Sequence, residues 1–202
     1  ATMINKDMFT PVHTSITNAT LDGENCICVV KKDKINIPDE NTYAFLNTSH
    51  FHNGTIEGIF QSRLLKDAPD HARGFLGIVF RAAPDSSEFE SFYVRPTNGR
   101  NCTDPVRKAH GCQYFTFPGY TFSYYREFGI TDYEAPVGLD LNEWFTLKAV
   151  IDEDTATFYV NDTKALYVPH LKHGTGTYGH VGIFTDIGTE GYVKDLTVLC
   201  KD

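Results

Sequence analysis

The segments GFLGIVFRAAPDSSEFESFYVRPTNGR (residues 74–100) and CQYFTFPGYTFSYY (residues 112–125), joined by a cysteine-bracketed loop, carry the clearest strand periodicity in the chain. Leu76, Ile78 and Phe80 fall on one side of a strand, and Phe92 and Val94 on one side of the next. Arg81, Tyr93 and Arg95 are left on the opposite face. One face therefore reads as core. The other sets guanidinium, phenol and amide groups at strand spacing, a polar platform suited to a ligand.

Working outward, Cys26–Val30 is the first convincing strand, and Tyr43–Leu46 is a short one. The Asn53-Gly54 turn signal launches a strand over Thr55–Leu65, with Ile56, Phe60 and Leu64 toward the core and Glu57, Gln61 and Arg63 on the other side. Pro96 cannot donate to a ladder, so regular pairing ends at Arg95. The Pro118-Gly119 turn is expected to pair Cys112–Phe117 with a strand over Thr121–Phe128. Trp144–Ile151, Thr155–Val160, Lys164–Val168, Tyr178–Thr185 and Gly191–Cys200 bring the count to eleven to thirteen strands. Residues 1–25 are weakly patterned and read as an irregular N-terminal arm, with one edge strand at most near Val12–Ile16. No linker divides the chain, so residues 1–202 read as a single domain.

Composition agrees with a β-rich chain. Fifteen Phe, eleven Tyr, sixteen Gly and nine Pro against two Met favour strands and tight turns. The net charge of −8 argues against a nucleic-acid or anionic-membrane partner for the average surface. No apolar run approaches the roughly 18 residues of a membrane span. Five Asn-x-Ser/Thr sequons, at Asn18, Asn47, Asn53, Asn101 and Asn161, point to a secreted, extracellular or periplasmic protein. None of the five cysteines has C-x-x-C spacing, so a structural zinc is not expected. Cys102 and Cys112, ten apart across a polar loop, are expected to form a disulfide, and Cys200 to pair with Cys26 or Cys28.

Many antiparallel strands with buried alternation make an all-β, two-sheet jelly-roll sandwich. The chain resembles the concanavalin A-like lectin/glucanase superfamily, nearest to its laminin-G-like and DUF1080 glycoside-hydrolase-like members. The residues that carry the likeness are Gly54-Thr-Ile-Glu57, Gly74-Phe-Leu-Gly-Ile-Val-Phe-Arg81, Phe92-Tyr-Val-Arg-Pro96, Gln113-Tyr114, Glu143-Trp-Phe-Thr-Leu-Lys148, Ala156-Thr-Phe-Tyr-Val-Asn161 and Gly188-Thr-Glu-Gly-Tyr192. The resemblance implies an oligo- or polysaccharide bound on the concave sheet. It does not choose between hydrolase, lectin and adhesion module, because one sandwich hosts all of them.

Candidate ligand-binding residues are Arg63, Arg81, Tyr93, Arg95, Asn98 and Gln113, since sugar hydroxyl pairs accept bidentate bonds and aromatic rings stack on C–H faces. Arg95 is expected to anchor ligand and not to serve a structural ion pair. The competing reading is a solvated sheet face with weak Glu–Arg pairs. Glu57 sits mid-strand as the candidate hydrolytic carboxylate, but the E-x-D-x-x-E strand motif of the glucanase branch is absent. A polysaccharide lyase would use an amide or cation with a proton-shuttling His or Tyr, a role for His110 and Tyr114 beside Arg95 and Gln113. The signature strand motifs of alginate-lyase-like sandwiches are missing too. Asp152-Glu-Asp154 and Asp67…Asp70 offer oxygen ligands for a structural calcium, though a solvated acidic turn is the simpler reading.

Overall fold

Along Trp144–Asp152, Phe145, Leu147, Ala149 and Ile151 are buried and their neighbours are partly or fully exposed, the period-2 signature of a strand with one face on a core. The same alternation recurs through most of the molecule in the computed structural model, which describes residues 3–32 and 40–202. Fourteen strands form two antiparallel sheets of seven.

Sheet I runs, edge to edge, through β1 (Phe9–Val12), β4 (Tyr43–Leu46), β13 (His180–Thr185), β6 (Leu76–Ala82), β7 (Phe89–Val94), β8 (Cys112–Phe117) and β9 (Glu134–Ala135). Sheet II runs through β12 (Thr163–Val168), β11 (Thr155–Val160), β10 (Trp144–Asp152), β5 (Gly54–Leu64), β14 (Thr189–Cys200), β3 (Glu24–Lys31) and β2 (Thr14–Leu21). Two short helices, α1 (Pro105–Lys108) and α2 (Phe122–Glu127), lie in the connections flanking β8. The all-β two-sheet jelly-roll sandwich is the architecture the alternation predicted.

The two sheets bury Ile27, Ile56, Phe60, Phe145 and Phe158 against Ile78, Phe80, Phe92, Val94 and Ile183. Phe92 of β7 and Phe158 of β11 stack across the sandwich, with centroids 4.4 Å apart and ring planes 3° from parallel. Strands β6 and β7 are buried on both faces. Their outer face carries Val79, Phe89 and Tyr93, and with Phe115 and Phe184 it forms a second, aromatic cluster. Ala72 and Phe75 from the connection before β6 and Tyr125 of α2 cover that cluster. The face opposite the main core is therefore largely a second core, and the polar platform expected there shrinks to one end of the sheet.

Several expectations from the sequence need correction. The stretch read as an irregular arm contains β1, β2 and the start of β3. Its polar, β-branched residues belong to an edge strand of sheet II, where little alternation is required, and Asp22 and Gly23 close the β2–β3 hairpin with φ of 52° and 76°. Residues 121–128 are not a strand but contain α2, whose Tyr125 packs into the second core. β8 pairs instead with β9. Leu64 is 38% exposed, and buried Ser62 precedes it on the inward side of β5.

No disulfide is formed: all five cysteines are free. The Cys112 side chain belongs to the core between the sheets, where burial pushes its thiol up to about 12, whereas Cys102 lies in the outer loop and donates to Asp104 O. Cys200 pairs with Gly54 of β5, and Cys28 lies opposite Tyr192. Cys26 faces Ala19 of β2, so Cys200 has neither partner within reach.

Candidate functional site

Strands β7 and β8 are neighbours in register, with Tyr93 opposite Gln113. That pairing puts three of the expected ligand residues together. Tyr93 Oη donates to Gln113 Oε1 at 2.7 Å, and Arg95 Nη2 donates to Tyr93 Oη at 2.7 Å and to Gln113 Oε1 at 2.5 Å. Arg95 Nη1 donates to His110 O at 3.1 Å and to Glu134 Oε2 at 2.8 Å. Arg95 is 3% exposed and the Glu134 side chain 2%, so this is a buried ion pair. The expectation that Arg95 has no structural ion-pair role is corrected. Arg95 directly follows β7, its amide donating to Gly111 O, and Glu134 of β9 lies opposite Gln113 of β8, so the two side chains meet over that strand.

Above this pair lies a cavity of about 430 Å³ lined by His71, Arg73, Phe75, Tyr93, Arg95, Asn98, Val106, Arg107, His110, Phe122 and Arg126. Its floor is the β7 end of sheet I. Its walls are the connection before β6, helix α1 and helix α2. Gly74, at φ of 78°, turns that connection into β6 and its carbonyl accepts from Ser62 Oγ at 2.6 Å. A Cβ on Gly74 would meet that Oγ at 2.7 Å, so only glycine seats the wall this closely.

Helix α1 is set by its cap. Asp104 accepts from Val106 N at 2.9 Å and Arg107 N at 3.4 Å, and Pro105 occupies the first turn. Arg107 then reaches back, donating from Nε to Asn98 Oδ1 at 3.0 Å and from Nη2 to Thr97 O and Oγ1. Asn98 is buried and donates to His110 O at 3.2 Å. On the other wall, the half-buried Phe122 ring lies 5.7 Å from the Arg95 guanidinium and 4.9 Å from that of Arg126. Arg126 also donates to both oxygens of Glu134, at 3.2 and 3.3 Å.

His110 Nδ1 lies 2.9 Å from Glu134 Oε2. Burial lowers the His110 pKa from its ordinary value, against the upward pull of Glu134 and with help from Arg126 and Arg95. The imidazole at the cavity is therefore neutral near pH 7. Arg73 is lowered first by burial and then by its neighbours Arg107 and Arg95. Its guanidinium donates to the backbone carbonyls of Asp70 and Ala72.

The remaining expected residues are elsewhere. Arg81 adopts φ of 51° at a β-bulge against β13, and this turns its side chain off the outer face and into the end of the sandwich. There it donates to His52 O, Gly174 O, Asn53 Oδ1 and Glu153 O, and lies 3.9 Å from Glu90 Oε2. Tyr114 points between the sheets, donates to Glu90 Oε1 at 2.6 Å and accepts from Lys172 N, so it does not meet His110 in the cavity. Glu57 and Arg63 belong to β5 of the other sheet. Glu57 faces Lys148, and Arg63 pairs with Asp22 at 3.8 Å.

For calcium, no group of three or more His, Cys, Asp or Glu side chains among the described residues converges to hold a metal ion. In the Asp152–Asp154 turn, Glu153 accepts from Asn53 and Thr175, and Asp154 faces His170.

Strand pairing thus brings Tyr93 to Gln113, and the segments after β7 and before β8 add Arg95, Asn98 and His110. Arg73, Arg107, Phe122 and Arg126 complete the site from a loop and two short helices, and Glu134 from the edge strand β9. The capping pair Asp104-Pro105 is the sequence signal that could have placed Arg107.

Comparison with solved structures decides the fold. The carbohydrate-binding module CBM66 from Bacillus subtilis superposes with a TM-score of 0.64 over 95% of this chain and 94% of that one, at 14% identity. The chain has the concanavalin A-like sandwich fold. A putative glycosyl hydrolase from Parabacteroides distasonis matches over 98% of this chain and 90% of its own at 10% identity, TM-score 0.53. The Bacillus licheniformis β-glucanase matches over 98% and 94% at 8% identity, also with a TM-score of 0.53. No family model and no curated protein sequence matches the chain.

Proposed function

We propose that this concanavalin A-like sandwich binds a carbohydrate in the cavity at the β7–β8 end of sheet I. The observation that carries the reading is the pairing of ring faces with fixed, forked donors in one concave site. Phe75, Tyr93 and Phe122 supply rings, while Arg73 and Arg107 present guanidinium groups above the buried Arg95–Glu134 pair. Sugars are bound by this combination, C–H faces on rings and vicinal oxygens on planar forks. A volume of about 430 Å³ suits a short stretch of glycan and not a long one. The sandwiches that superpose on this chain include a carbohydrate-binding module, a putative glycosyl hydrolase and a β-glucanase, which supports the class of ligand.

Binding is favoured over hydrolysis. A glycosidase needs a second carboxylate across the scissile bond. Among the described residues the cavity is served by one, Glu134, which already accepts from Arg95 and Arg126. A lyase is the second reading, and the neutral His110 beside Arg95 is what favours it. Tyr93, the nearest phenol in the lining, is engaged with Arg95 and Gln113, and Tyr114 is on the far side of the sheet. An extracellular or periplasmic setting is part of the proposal. It is supported by the exposure of Asn18, Asn47, Asn101 and Asn161 within their sequons, whereas Asn53 is buried and bonded to Glu153 and Asp202.

The test is a glycan array probed with the purified protein with and without EDTA, alongside Phe122→Ala. The reading requires a defined glycan set bound by the native protein and lost in the variant. Equal retention of that set by Phe122→Ala would place the sugar elsewhere. Release of unsaturated products from bound uronate oligosaccharides would select the lyase reading.

A further inference from the structure

The protein as a whole is acidic, with a net charge of −8. The cavity runs against that average. Four guanidinium groups, from Arg73, Arg95, Arg107 and Arg126, line it, with Glu134 as the carboxylate that meets them among the described residues. Glu134 is taken up by Arg95 and Arg126. The two guanidinium groups on the opposite wall have a different set of partners. Arg107 is held by Asn98 and Thr97, and Arg73 by the carbonyls of Asp70 and Ala72, all uncharged acceptors. Thr97 joins them, since its amide donates to Arg73 O at 3.2 Å while its carbonyl and hydroxyl accept from Arg107.

Holding two cations beside one another in a partly enclosed site is unfavourable unless an anion enters it, because the low-dielectric walls strengthen the repulsion. Burial and the mutual presence of Arg107 and Arg95 already push Arg73 downward. Neutral sugars give no reason for this arrangement; hydroxyls are served equally well by amides and carboxylates. A carboxylate or sulfate accepts bidentate bonds from a planar fork, and arginine matches it better than any other side chain.

We propose that the sugar entering this cavity carries an anionic group, a carboxylate or a sulfate ester, held between Arg73 and Arg107. The proposal rests on the carbohydrate reading above and specifies its ligand class. The anion docks at the Thr97 side of the cavity, and the ring lies toward Phe122, on the wall where Glu134 already balances Arg126.

Titration calorimetry with matched oligosaccharides tests it. The probes are an oligogalacturonate for the carboxylate, a sulfated galactan oligosaccharide for the sulfate, and neutral galactan oligosaccharides of the same length. One anionic member should bind at least tenfold tighter than the neutral ones, and the preference should shrink as salt rises from low to physiological strength. Which of the two anionic probes wins assigns the group. Arg73→Gln and Arg107→Gln should each reduce the anionic preference about tenfold while leaving the melting temperature within a few degrees. Inorganic sulfate should compete in the native protein and fail to do so in Arg107→Gln. Equal or tighter binding of the neutral oligosaccharide, insensitive to salt, would overturn the anionic proposal and leave the carbohydrate reading standing. No binding of any of the three, anionic or neutral, would overturn both for this glycan class.

Discussion

Arg95 Nη1 and Glu134 Oε2 are 2.8 Å apart beneath the cavity, both side chains almost fully removed from solvent. The pair joins the end of β7 to the edge strand β9, and it holds His110, Tyr93 and Gln113 in one network. A buried charge that loses its partner keeps its desolvation cost, so Arg95→Ala should destabilise the fold by about 3 kcal/mol. Arg126→Ala removes a partner from the same carboxylate at an exposed position and should cost about 1 kcal/mol or less. Urea unfolding of the two variants checks the contrast. Similar midpoints for both would mean that Glu134 does not depend on Arg95.

Arg81 is the joint at the other end of the sandwich. Its four donations to His52, Gly174, Asn53 and Glu153 tie β6 to the loops of sheet II. Lysine has one ammonium in place of the fork and cannot reach acceptors on separate segments at once. Arg81→Lys should therefore destabilise by about 3 kcal/mol, since several buried carbonyls lose their donor. Thermal denaturation showing a near-native midpoint would contradict this, and glycan affinity in the folded fraction should not change.

Glu90 gives stability a pH dependence. Burial, opposed by the Tyr114 hydrogen bond and Arg81, raises its carboxyl from 4.5 to about 7 in the folded protein. The folded state thus holds this proton more tightly than the unfolded chain. The unfolding free energy should fall as pH rises from about 4.5 to about 7, by about 3 kcal/mol at most. Glu90→Gln keeps an acceptor for Tyr114 without the titration, so the variant should lack that fall and exceed the native protein in stability at pH 8. Denaturation midpoints of the two proteins that run parallel from pH 4 to pH 8 would rule this out.

The free thiols make a direct chemical prediction. Five thiols should titrate in denaturant under non-reducing conditions. In the folded protein, exposed Cys200 should be alkylated first and Cys112, buried with its thiol pushed up to about 12, last. A peptide linking Cys102 to Cys112 in a non-reducing map would contradict the structure.

The fold was legible in the sequence because most strands cover one core and therefore alternate. Thr155–Val160 and Tyr43–Leu46 need no revision. Legibility failed where alternation carries no information. The edge strand β2 buries little, so Thr14–Leu21 reads as polar coil despite its Asp22-Gly23 turn. Tyr124 and Tyr125 suit a strand by type, yet Tyr125 packs inward from a helical turn. At Arg81 one left-handed residue shifts the register by a place and carries the side chain to the other side of the sheet, a change that no parity argument anticipates. The candidate site was half visible for the same reason. Tyr93 and Gln113 meet through strand pairing, which parity can find, whereas Arg107 and Arg126 are delivered by helices of four and six residues.

The central claim is that the cavity over Arg95 is the ligand site and that the outer face of sheet II is not. Calorimetric titration of a glycan selected from the array measures this most directly, on the native protein, on Phe122→Ala and on the β5 double variant Glu57→Ala/Arg63→Ala. The account predicts about a tenfold or larger loss of affinity for Phe122→Ala and native affinity for the β5 variant, with both melting within a few degrees of the native protein. Native affinity in Phe122→Ala together with lost binding in the β5 variant would contradict it.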